Sequence, residues 1–186
     1  MNNLLLVISG PSGVGKGTVV KRLLKDGGFR LSVSCTTRKK REGEIDGVSY
    51  FFIEKPEFEK MIAQDGFLEY NRHFENYYGT PKKFVLESLK TSGVILEIEV
   101  DGALKVKSAF PQAVLIMIAP PSAAELEKRL VRRGSESKEK IAERVSRMDY
   151  ELSKSQYYDY TVVNDDLNEC VARIKNIIEK EKEIRQ

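Results

Sequence analysis

Residues 10–18 read Gly-Pro-Ser-Gly-Val-Gly-Lys-Gly-Thr, a loop in which four glycines surround a single lysine, Lys16. Glycine lets the backbone turn tightly and point successive N–H groups at an anion, and the lysine adds a mobile positive charge. The spacing Gly-x-x-x-x-Gly-Lys therefore predicts a loop that binds nucleotide phosphates. Gly17 stands where serine or threonine is usual, so the hydroxyl comes one residue later. The predicted phosphate-binding residues are Gly10, Pro11, Ser12, Gly13, Val14, Gly15, Lys16, Gly17 and Thr18.

The segments on either side of this loop support the prediction. The apolar run at 4–9 has the composition of a buried strand, and residues 16–25 have the composition of a helix. A helix that begins in the loop would direct the positive end of its dipole at a bound anion. A glycine-rich turn with a surface lysine is the alternative, and the order strand, loop, helix disfavours it.

A second cluster of cations lies at 36–44, which reads Thr-Thr-Arg-Lys-Lys-Arg-Glu-Gly-Glu. Arg38 and Arg41 can each present a planar pair of donors to a phosphate, and the hydroxyls of Tyr50 and Tyr78 can complete such a site. From composition alone, a solvated basic loop that contacts nucleic acid explains this cluster as well as a phosphate site does.

Three acids alternate along the run 94–101, at Glu97, Glu99 and Asp101. If this run is one strand, its period of two places all three carboxylates on one face. Such a group is costly unless it lines an open cleft with cations nearby. For Asp101, a structural role as a partner of nearby lysines such as Lys105 is the alternative.

Length and composition limit the kinds of protein this can be. A chain of 186 residues predicts one domain with a substantial core, and a net charge of only +3 argues against a strongly basic nucleic-acid binder. We expect neither a signal peptide nor a membrane span. The two cysteines, Cys35 and Cys170, are too far apart in sequence to form a metal or disulfide pattern, which fits a cytoplasmic location.

Short apolar runs alternate with helical stretches along most of the chain. This alternation predicts a parallel sheet with helices on both faces, which binds ligands beyond the carboxyl ends of its strands. Helices are indicated by a capping box at Ser122, by an apolar stripe at 141–152 and by a further stripe after Asp166. The predicted strands are 4–9, 30–34, 94–100, 113–119 and 160–163.

Residues 35–91 break this alternation. They contain a loop, short aromatic-rich strands and one helix near 56–63, and they are too long for an ordinary crossover. We therefore predict an inserted lobe that folds over the phosphate loop.

The motif Thr-Thr-Arg-x-x-Arg-x-x-Glu-x-x-Gly-x-x-Tyr-x-Phe at 36–52 resembles the signature of guanylate kinases. The similarity extends over essentially the whole chain. Further matching motifs are Ser-Gly-Pro-Ser-Gly at 9–13, Phe-Leu-Glu-Tyr at 67–70, Asn-Tyr-Tyr-Gly-Thr at 76–80, Ile-Ala-Pro-Pro-Ser at 118–122, Arg-Gly at 133–134 and Val-Asn-Asp-Asp-Leu at 163–167.

The resemblance implies transfer of the γ-phosphoryl group of ATP to GMP, giving ADP and GDP, in purine nucleotide metabolism. ATP would be the phosphoryl donor, with Mg²⁺ held mainly through its phosphates and water and with a cleft acid as a further candidate ligand. The implied fold is a P-loop kinase core (1–34, 92–128 and 156–186), with an inserted mixed GMP-binding lobe (about 35–91) and a helical lid (about 129–155). The oligomeric state is left open, and neither nucleic acid nor a membrane is an expected partner.

The resemblance also assigns roles to individual residues. A carboxylate at Glu69 suits guanine, because N1–H and the 2-amino group are adjacent donors, and the hydroxyls of Ser34 and Thr80 can donate to O6. Glu99 and Asp101 depart from the family pattern, which has aspartate and glutamine there. The implied catalytic residues are Lys16, Arg38, Arg133 and Arg144. The implied GMP-binding residues are Ser34, Arg38, Arg41, Tyr50, Glu69, Tyr78, Thr80, Glu97 and Glu99.

Two other functions remain compatible with parts of the sequence. Guanylate-kinase-like modules of membrane scaffolds bind without catalysis, but they usually have a degraded phosphate loop, whereas this chain keeps Gly15, Lys16 and Thr18. A kinase for another nucleotide is the second alternative, and Glu69 and Thr80 argue against it.

Overall fold

The computed structural model describes residues 3–73, 75–133 and 137–185. In chain order, the elements are β1 (Leu5–Ser9), α1 (Lys16–Leu24), β2 (Phe29–Leu31), β3 (Cys35–Thr36), β4 (Phe51–Phe52), α2 (Lys55–Ala63), β5 (Phe67–His73), β6 (Asn76–Pro81), α3 (Lys82–Ser88), β7 (Gly93–Glu97), α4 (Val100–Ala109), β8 (Val114–Ala119), α5 (Ala123–Arg133), α6 (Lys138–Ser153), β9 (Tyr160–Val163) and α7 (Leu167–Ile184), with a short 3-10 helix at Lys154–Tyr157.

The larger sheet has five strands in the order β2-β7-β1-β8-β9, and all of its strand pairs are parallel. Strand β1 is buried on both faces: Leu6 and Ile8 pack into the core beneath α1 and α7, and Leu5 and Val7 pack against α4 on the other face. A strand covered on both faces is expected to be apolar along nearly its whole length, and in β1 only the terminal Ser9 is polar. The predicted parallel sheet flanked by helices is confirmed.

The smaller sheet has four strands in the order β4-β3-β6-β5, and it is mixed, because β3 is parallel to β4 and antiparallel to β6. Its core is aromatic: the Phe58 ring stacks on Phe67 at a centroid distance of 4.2 Å and on Tyr77 at 5.1 Å. The sequence predicted the aromatic strands and α2 but missed α3. That helix has seven residues and no side-chain cap, so it is too short to show a helical period.

The strand predicted at 94–100 ends earlier, and this corrects the expected arrangement of its acids. Strand β7 ends at Glu97, Glu99 is the N-cap residue of α4, and Asp101 lies in the first turn of that helix. The three carboxylates therefore do not share one face of a strand. Val100 is buried against the sheet as the first residue of α4, and a carboxylate in a first turn is favoured by the helix dipole.

The second strand is also shorter than predicted, since β2 covers 29–31 and Ser34 lies in the segment beyond it. Both predicted helix caps are present. The Ser122 hydroxyl accepts a hydrogen bond from the Glu125 N–H at 3.2 Å, and the Asp166 carboxylate accepts from Asn168 and Glu169. Within the described residues, no helix is long and apolar enough to cross a membrane.

Candidate active site

A cleft of about 640 Å³ opens at the carboxyl ends of β1 and β7, between the larger sheet and the smaller one. Nearly all the predicted site residues line it. Its walls are formed by Gly10, Ser12, Gly13, Gly15, Lys16, Gly17, Thr18, Lys21, Ser34, Arg38, Arg41, Tyr50, Glu69, Asn71, Tyr78, Gly79, Glu97, Ile98, Glu99, Arg129, Arg144 and Glu151. Of the remaining predictions, Val14, Pro11 and Thr80 are buried and do not line the cleft.

The backbone of the phosphate loop can be formed only by glycine at critical points. Gly10 has a φ of 138°, and a Cβ there would lie 2.1 Å from the Ile118 carbonyl oxygen. Gly15 adopts the left-handed conformation directly before α1, and its neighbour Val14 accepts a hydrogen bond from the Asn164 side chain at 2.8 Å. The loop is thus fixed in a curved shape at a helix N-terminus, as anion binding requires.

Lys16 is the first residue of α1, and its side chain folds back over the loop. Its Nζ donates to the carbonyl oxygens of Gly10 at 2.6 Å and Pro11 at 3.0 Å. Burial lowers the pKa of Lys16, and the charges of Glu97 and Glu151 oppose that shift. A desolvated ammonium at the mouth of the loop interacts strongly with an incoming phosphate, since little water screens it.

Glu97 lies at the end of β7, opposite the start of α1. A Cβ placed on Gly17 would be 3.3 Å from Glu97 Oε1 and 3.6 Å from Oε2. Burial raises the pKa of Glu97, while Lys16 and Lys21 lower it. A side chain at position 17 would therefore lie in close contact with this half-buried carboxylate.

A serine at position 17 is expected to be tolerated. The φ of Gly17 is compatible with any residue, and the new hydroxyl could donate to the flexible end of Glu97. We expect Gly17→Ser to keep kcat within about fivefold of the parent, because the cleft keeps its charges. The matched control is Gly10→Ala, which should abolish activity because its Cβ meets backbone. Complete loss of activity in folded Gly17→Ser would contradict this account.

The basic loop holds Arg38 in a fixed orientation. Its Nη2 donates to Glu44 Oε1 at 2.7 Å and its Nη1 to Glu44 Oε2 at 3.0 Å. This hydrogen-bonded pair raises the pKa of Arg38 and lowers that of Glu44. The guanidinium also lies 5.5 Å from the centre of the Tyr50 ring, and the rings of Tyr50 and Tyr78 are 5.9 Å apart. Both predicted tyrosines therefore lie beside the predicted arginine.

Glu69 is buried on β5, with 7% of its surface exposed. The Thr80 hydroxyl donates to its Oε1 at 2.7 Å. A hydroxyl has one proton, so in this structure Thr80 holds the carboxylate rather than pointing its proton into the cleft. Burial raises the pKa of Glu69, and the hydrogen bond from Thr80 and the charge of Lys105 lower it.

Asn71 and Glu151 are among the cleft residues that the sequence analysis missed, although the sequence contained a signal for each. Asn71 is two residues after Glu69, so the alternation of a strand places both on one face. Glu151 lies three residues after Met148 on α6, and it is buried with 8% exposure. Burial raises the pKa of Glu151, and the charge of Lys16 lowers it. An acid on the apolar face of a helix was the unused signal.

Helices α5 and α6 bring further arginines to the cleft. Arg144 on α6 donates a hydrogen bond to the Ser12 hydroxyl of the phosphate loop. Arg129 on α5 donates to the Asn164 carbonyl oxygen at 2.9 Å and to Glu125 at 3.0 Å. The side chain of Arg133, the remaining predicted catalytic residue, lies outside the described part of the chain.

Asp101 has a different partner from the lysine considered in the sequence analysis. Its Oδ1 accepts a hydrogen bond from the Tyr150 hydroxyl at 3.0 Å, which joins α4 to α6. Lys105 instead donates to the Tyr70 carbonyl oxygen and to the side chain of Asn71. Asp101 therefore links two helices beside the cleft.

The donor set of the cleft suits a metal that arrives with phosphates. Among the described side chains, no three His, Cys, Asp or Glu residues come together as a metal-binding group. Glu97 is the carboxylate closest to the Gly17 position, and Mg²⁺ usually keeps several waters and takes one or two carboxylates besides substrate phosphates. The cleft fits Mg²⁺ on those terms.

The fold and the cleft define a class: an α/β phosphotransferase with a glycine-rich phosphate loop between its central strand and first helix. The family model described as guanylate kinase matches residues 2–181. A guanylate kinase from Caldanaerobacter subterraneus subsp. tengcongensis is 50% identical over 181 residues, covering 96% of this chain and 88% of that protein. One from Streptococcus mutans is 52% identical over 181 residues, covering 96% of this chain and 86% of that protein.

A solved structure agrees with these relatives. The crystal structure of guanylate kinase from Anaplasma phagocytophilum superposes with a TM-score of 0.80 at 34% identity, covering 96% of this chain and 86% of that chain. The chain belongs to the guanylate kinase family. Members of this family are enzymes that phosphorylate GMP with ATP, and the alternatives of a non-catalytic scaffold module and of a kinase for another nucleotide are set aside.

Proposed function

We propose that the enzyme transfers the γ-phosphoryl group of ATP to GMP, giving ADP and GDP, with the two nucleotides bound at opposite walls of the cleft. One observation carries this proposal: a single cleft joins the phosphate loop with Lys16 to a lobe wall with Arg38 and Glu69. The first wall suits a triphosphate, and the second suits a nucleotide with one phosphate and a base rich in donors.

The guanine site is proposed to centre on Glu69. Guanine offers two adjacent donors, N1–H and the 2-amino group, and a carboxylate can accept from both. Adenine has an acceptor at N1 and no 2-amino group, so it would leave this buried carboxylate unpaired, which a site of this kind rejects strongly. Ser34 lines the same wall and is the hydroxyl available to O6. Thr80 contributes by holding Glu69 Oε1.

The GMP phosphate is proposed to bind Arg38, Arg41 and the hydroxyls of Tyr50 and Tyr78. Glu44 uses part of the Arg38 donor set and also accepts from the Arg41 backbone N–H at 2.8 Å. This carboxylate shapes the loop so that both guanidinium groups are held near one anion. Orientation of a reactant in this way removes entropy from the transition state.

Phosphoryl transfer needs no protein nucleophile, because an oxygen of the GMP phosphate attacks the γ-phosphorus directly. The protein aligns two anions, neutralises their repulsion and excludes water. Lys16 and Arg144 lie on the donor side of the cleft for this task, and Arg133 is proposed to join them. Mg²⁺, held by the ATP phosphates and water with Glu97 as the nearest carboxylate, would neutralise charge on the transferring group.

We further propose that three parts of the chain have separate roles. Residues 1–34, 92–128 and 156–186 form the core, about 35–91 form the GMP lobe, and about 129–155 form a lid that closes on the phosphates. A cytoplasmic role in GMP recycling is part of the proposal, since Cys35 and Cys170 are buried free thiols, as a reducing compartment favours.

The direct test is a coupled assay of ADP production with ATP and each of GMP, AMP, CMP and UMP. We expect GMP to exceed the other acceptors in kcat/KM by about 10⁴-fold, since none of their bases offers Glu69 two adjacent donors. No protein phosphorylation should occur, because the transfer is direct. Equal rates with AMP and GMP would contradict the proposed base site.

Arg38→Lys tests the proposed phosphate site. The change keeps the charge, but a point ammonium cannot make the two parallel contacts that Arg38 makes with Glu44. We expect KM for GMP to rise by about tenfold to a hundredfold while KM for ATP stays within about twofold. Steady-state kinetics with each substrate varied in turn measure both. A rise confined to KM for ATP would contradict the assignment of GMP to this wall of the cleft and of ATP to the other.

A further inference from the structure

A chain of polar contacts leads from α4 to the carboxylate proposed to read guanine. Lys105 donates to the Tyr70 carbonyl oxygen at 2.7 Å and to Asn71 Oδ1. The Asn71 amide in turn donates from Nδ2 to Glu69 Oε2 at 3.4 Å. Lys105 is exposed, and none of these contacts was anticipated from the sequence. Of the residues in this series of contacts, only Glu69 has been assigned a role in the proposed guanine site.

The direction of the Asn71 amide follows from the chemistry of Lys105. An ammonium carries donors only, so the amide oxygen must face it and the amide NH₂ must face the other way, toward Glu69. Without Lys105 the amide could turn over and present its oxygen to a carboxylate, which is a repulsive contact. The lysine therefore fixes which group of Asn71 meets the carboxylate.

Both oxygens of the Glu69 carboxylate are then held from behind. Thr80 holds Oε1 and Asn71 holds Oε2, which leaves their remaining lone pairs for the cleft. The first turn of α4 closes the space behind them, because a Cβ on Gly102 would lie 2.9 Å from Glu69 Oε2 and 3.2 Å from Asn71 Nδ2. The carboxylate cannot rotate away in that direction.

We propose that Lys105 and Asn71 are positioning residues that hold the Glu69 carboxylate in the orientation that reads the guanine edge. This inference rests on the proposed role of Glu69. Guanine selection is thereby assigned to Glu69 together with Asn71 and Lys105, whose contacts connect the smaller sheet to α4, rather than to Glu69 alone.

The electrostatics agree with the geometry. Burial raises the pKa of Glu69, Lys105 opposes that rise from α4, and Glu99 at the N-cap of the same helix adds to it. From β6, Thr80 stabilises the ionised form by its hydrogen bond. Only the ionised carboxylate accepts two hydrogen bonds, so GMP binding should weaken as pH falls through the pKa of Glu69. Removal of the Lys105 charge moves that loss to higher pH.

The experiment compares Lys105→Met, Lys105→Arg, Asn71→Ala and Glu69→Gln with the parent and with Lys83→Met, a control that removes another exposed lysine, from α3. Steady-state kinetics with GMP and with inosine monophosphate, which lacks the 2-amino group, are measured from pH 5.5 to 8.5 at saturating ATP. The second ionisation of the GMP phosphate falls in this range for every variant, so the difference between variants is the readout. Thermal melting checks folding.

We expect Lys105→Met to raise KM for GMP about threefold to tenfold, with kcat and KM for ATP within about twofold, and to shift the acid limb of kcat/KM to higher pH. Lys105→Arg should restore both quantities. Asn71→Ala should raise KM for GMP about tenfold and lower the GMP-to-IMP ratio of kcat/KM, since one carboxylate oxygen loses its partner. Lys83→Met should change neither quantity.

The inference is overturned if Lys105→Met and Asn71→Ala leave KM for GMP and the acid limb unchanged while Glu69→Gln alters guanine selection. Equal rises in KM for both GMP and ATP would also overturn it, because that result indicates a general loss of structure. If Glu69→Gln itself leaves the GMP-to-IMP ratio unchanged, the proposed base site fails instead, and the role of this chain of contacts fails with it.

Discussion

Lys16→Ala is expected to lower kcat by about a thousandfold or more in a protein that remains folded. The ammonium of Lys16 lies at the mouth of the phosphate loop, and its hydrogen bonds go to two backbone carbonyl oxygens of that loop. Water in the open cleft can replace the donor at both. The variant therefore loses the positive charge that stabilises the phosphoryl group during transfer, while the fold is kept.

The free energy of folding should change little in this variant. Burial lowers the pKa of Lys16, so the folded protein holds this ammonium at a cost that alanine removes. The control is Lys25→Ala, which deletes an exposed lysine at the end of the same helix and should leave kcat unchanged. Single-turnover kinetics and a melting curve distinguish the two effects. Near-normal turnover by folded Lys16→Ala would refute the assigned role.

The same lowered pKa gives the parent enzyme a pH dependence of known sign. Lys16 loses its proton as pH rises through its pKa, and this occurs at a lower pH than for an ordinary lysine because burial disfavours the charged form. The basic limb of kcat/KM for ATP, which reports the groups of the free enzyme, should therefore lie below the range of an exposed lysine, and it should be absent from the residual activity of Lys16→Ala.

The elements around the phosphate loop were predictable because local signals agree there. The apolar run of β1, the loop glycines and the start of α1 all point to one geometry, and each apolar residue of β1 is buried on one face or the other. A structure can be predicted from its sequence where local preferences agree with the global packing. The caps at Ser122 and Asp166 were predictable for the same reason.

The acids after β7 were misplaced because a period of two does not show where a strand ends. Glu97, Glu99 and Asp101 alternate in sequence, yet the helix begins at Val100, whose burial beneath the sheet decides the turn. That is a tertiary effect, and no local residue signals it. The partner of Asp101 is equally non-local, since Tyr150 lies 49 residues further along the chain.

The site around Glu69 was predicted only at its centre. The resemblance implied Glu69, whereas the strand alternation that points to Asn71 was not used, and Lys105 is on a helix 34 residues beyond Asn71. The Thr80 hydroxyl was expected to face the base and instead holds the carboxylate. Side-chain direction inside a polar network depends on every member, because each donor needs an acceptor.

Glu69→Gln is the variant that tests base selection most directly. The change keeps the shape of the side chain but replaces one acceptor oxygen with a donor. Asn71 already donates to one oxygen, and only the Thr80 hydroxyl can turn round to accept. The amide NH₂ should therefore settle next to Thr80, and it also removes one of the two acceptors that face the cleft. One hydrogen-bond donor of guanine therefore loses the oxygen that would have accepted from it and faces the NH₂ donor of the new side chain.

The loss of one charge-assisted hydrogen bond, with an unpaired group left in a buried site, costs about 2–4 kcal/mol. This corresponds to a loss of about thirtyfold to a thousandfold in kcat/KM for GMP. KM for ATP should stay within about twofold, since the phosphate loop is on the other wall of the cleft. The fold should be kept, because glutamine has nearly the volume of glutamate and relieves a buried charge.

Inosine monophosphate provides the internal control for this prediction. It lacks the 2-amino group, so it should be a poor substrate for the parent enzyme, in which that group meets Glu69. Its disadvantage should shrink in Glu69→Gln, because the contact that it lacks has already been weakened in the variant. The measurement is kcat/KM for both nucleotides with both proteins at saturating ATP. If the GMP-to-IMP ratio is the same in the two proteins, Glu69 does not read the 2-amino edge. The selection of guanine must then come from other residues of the same wall, with Ser34 and Asn71 the first to replace.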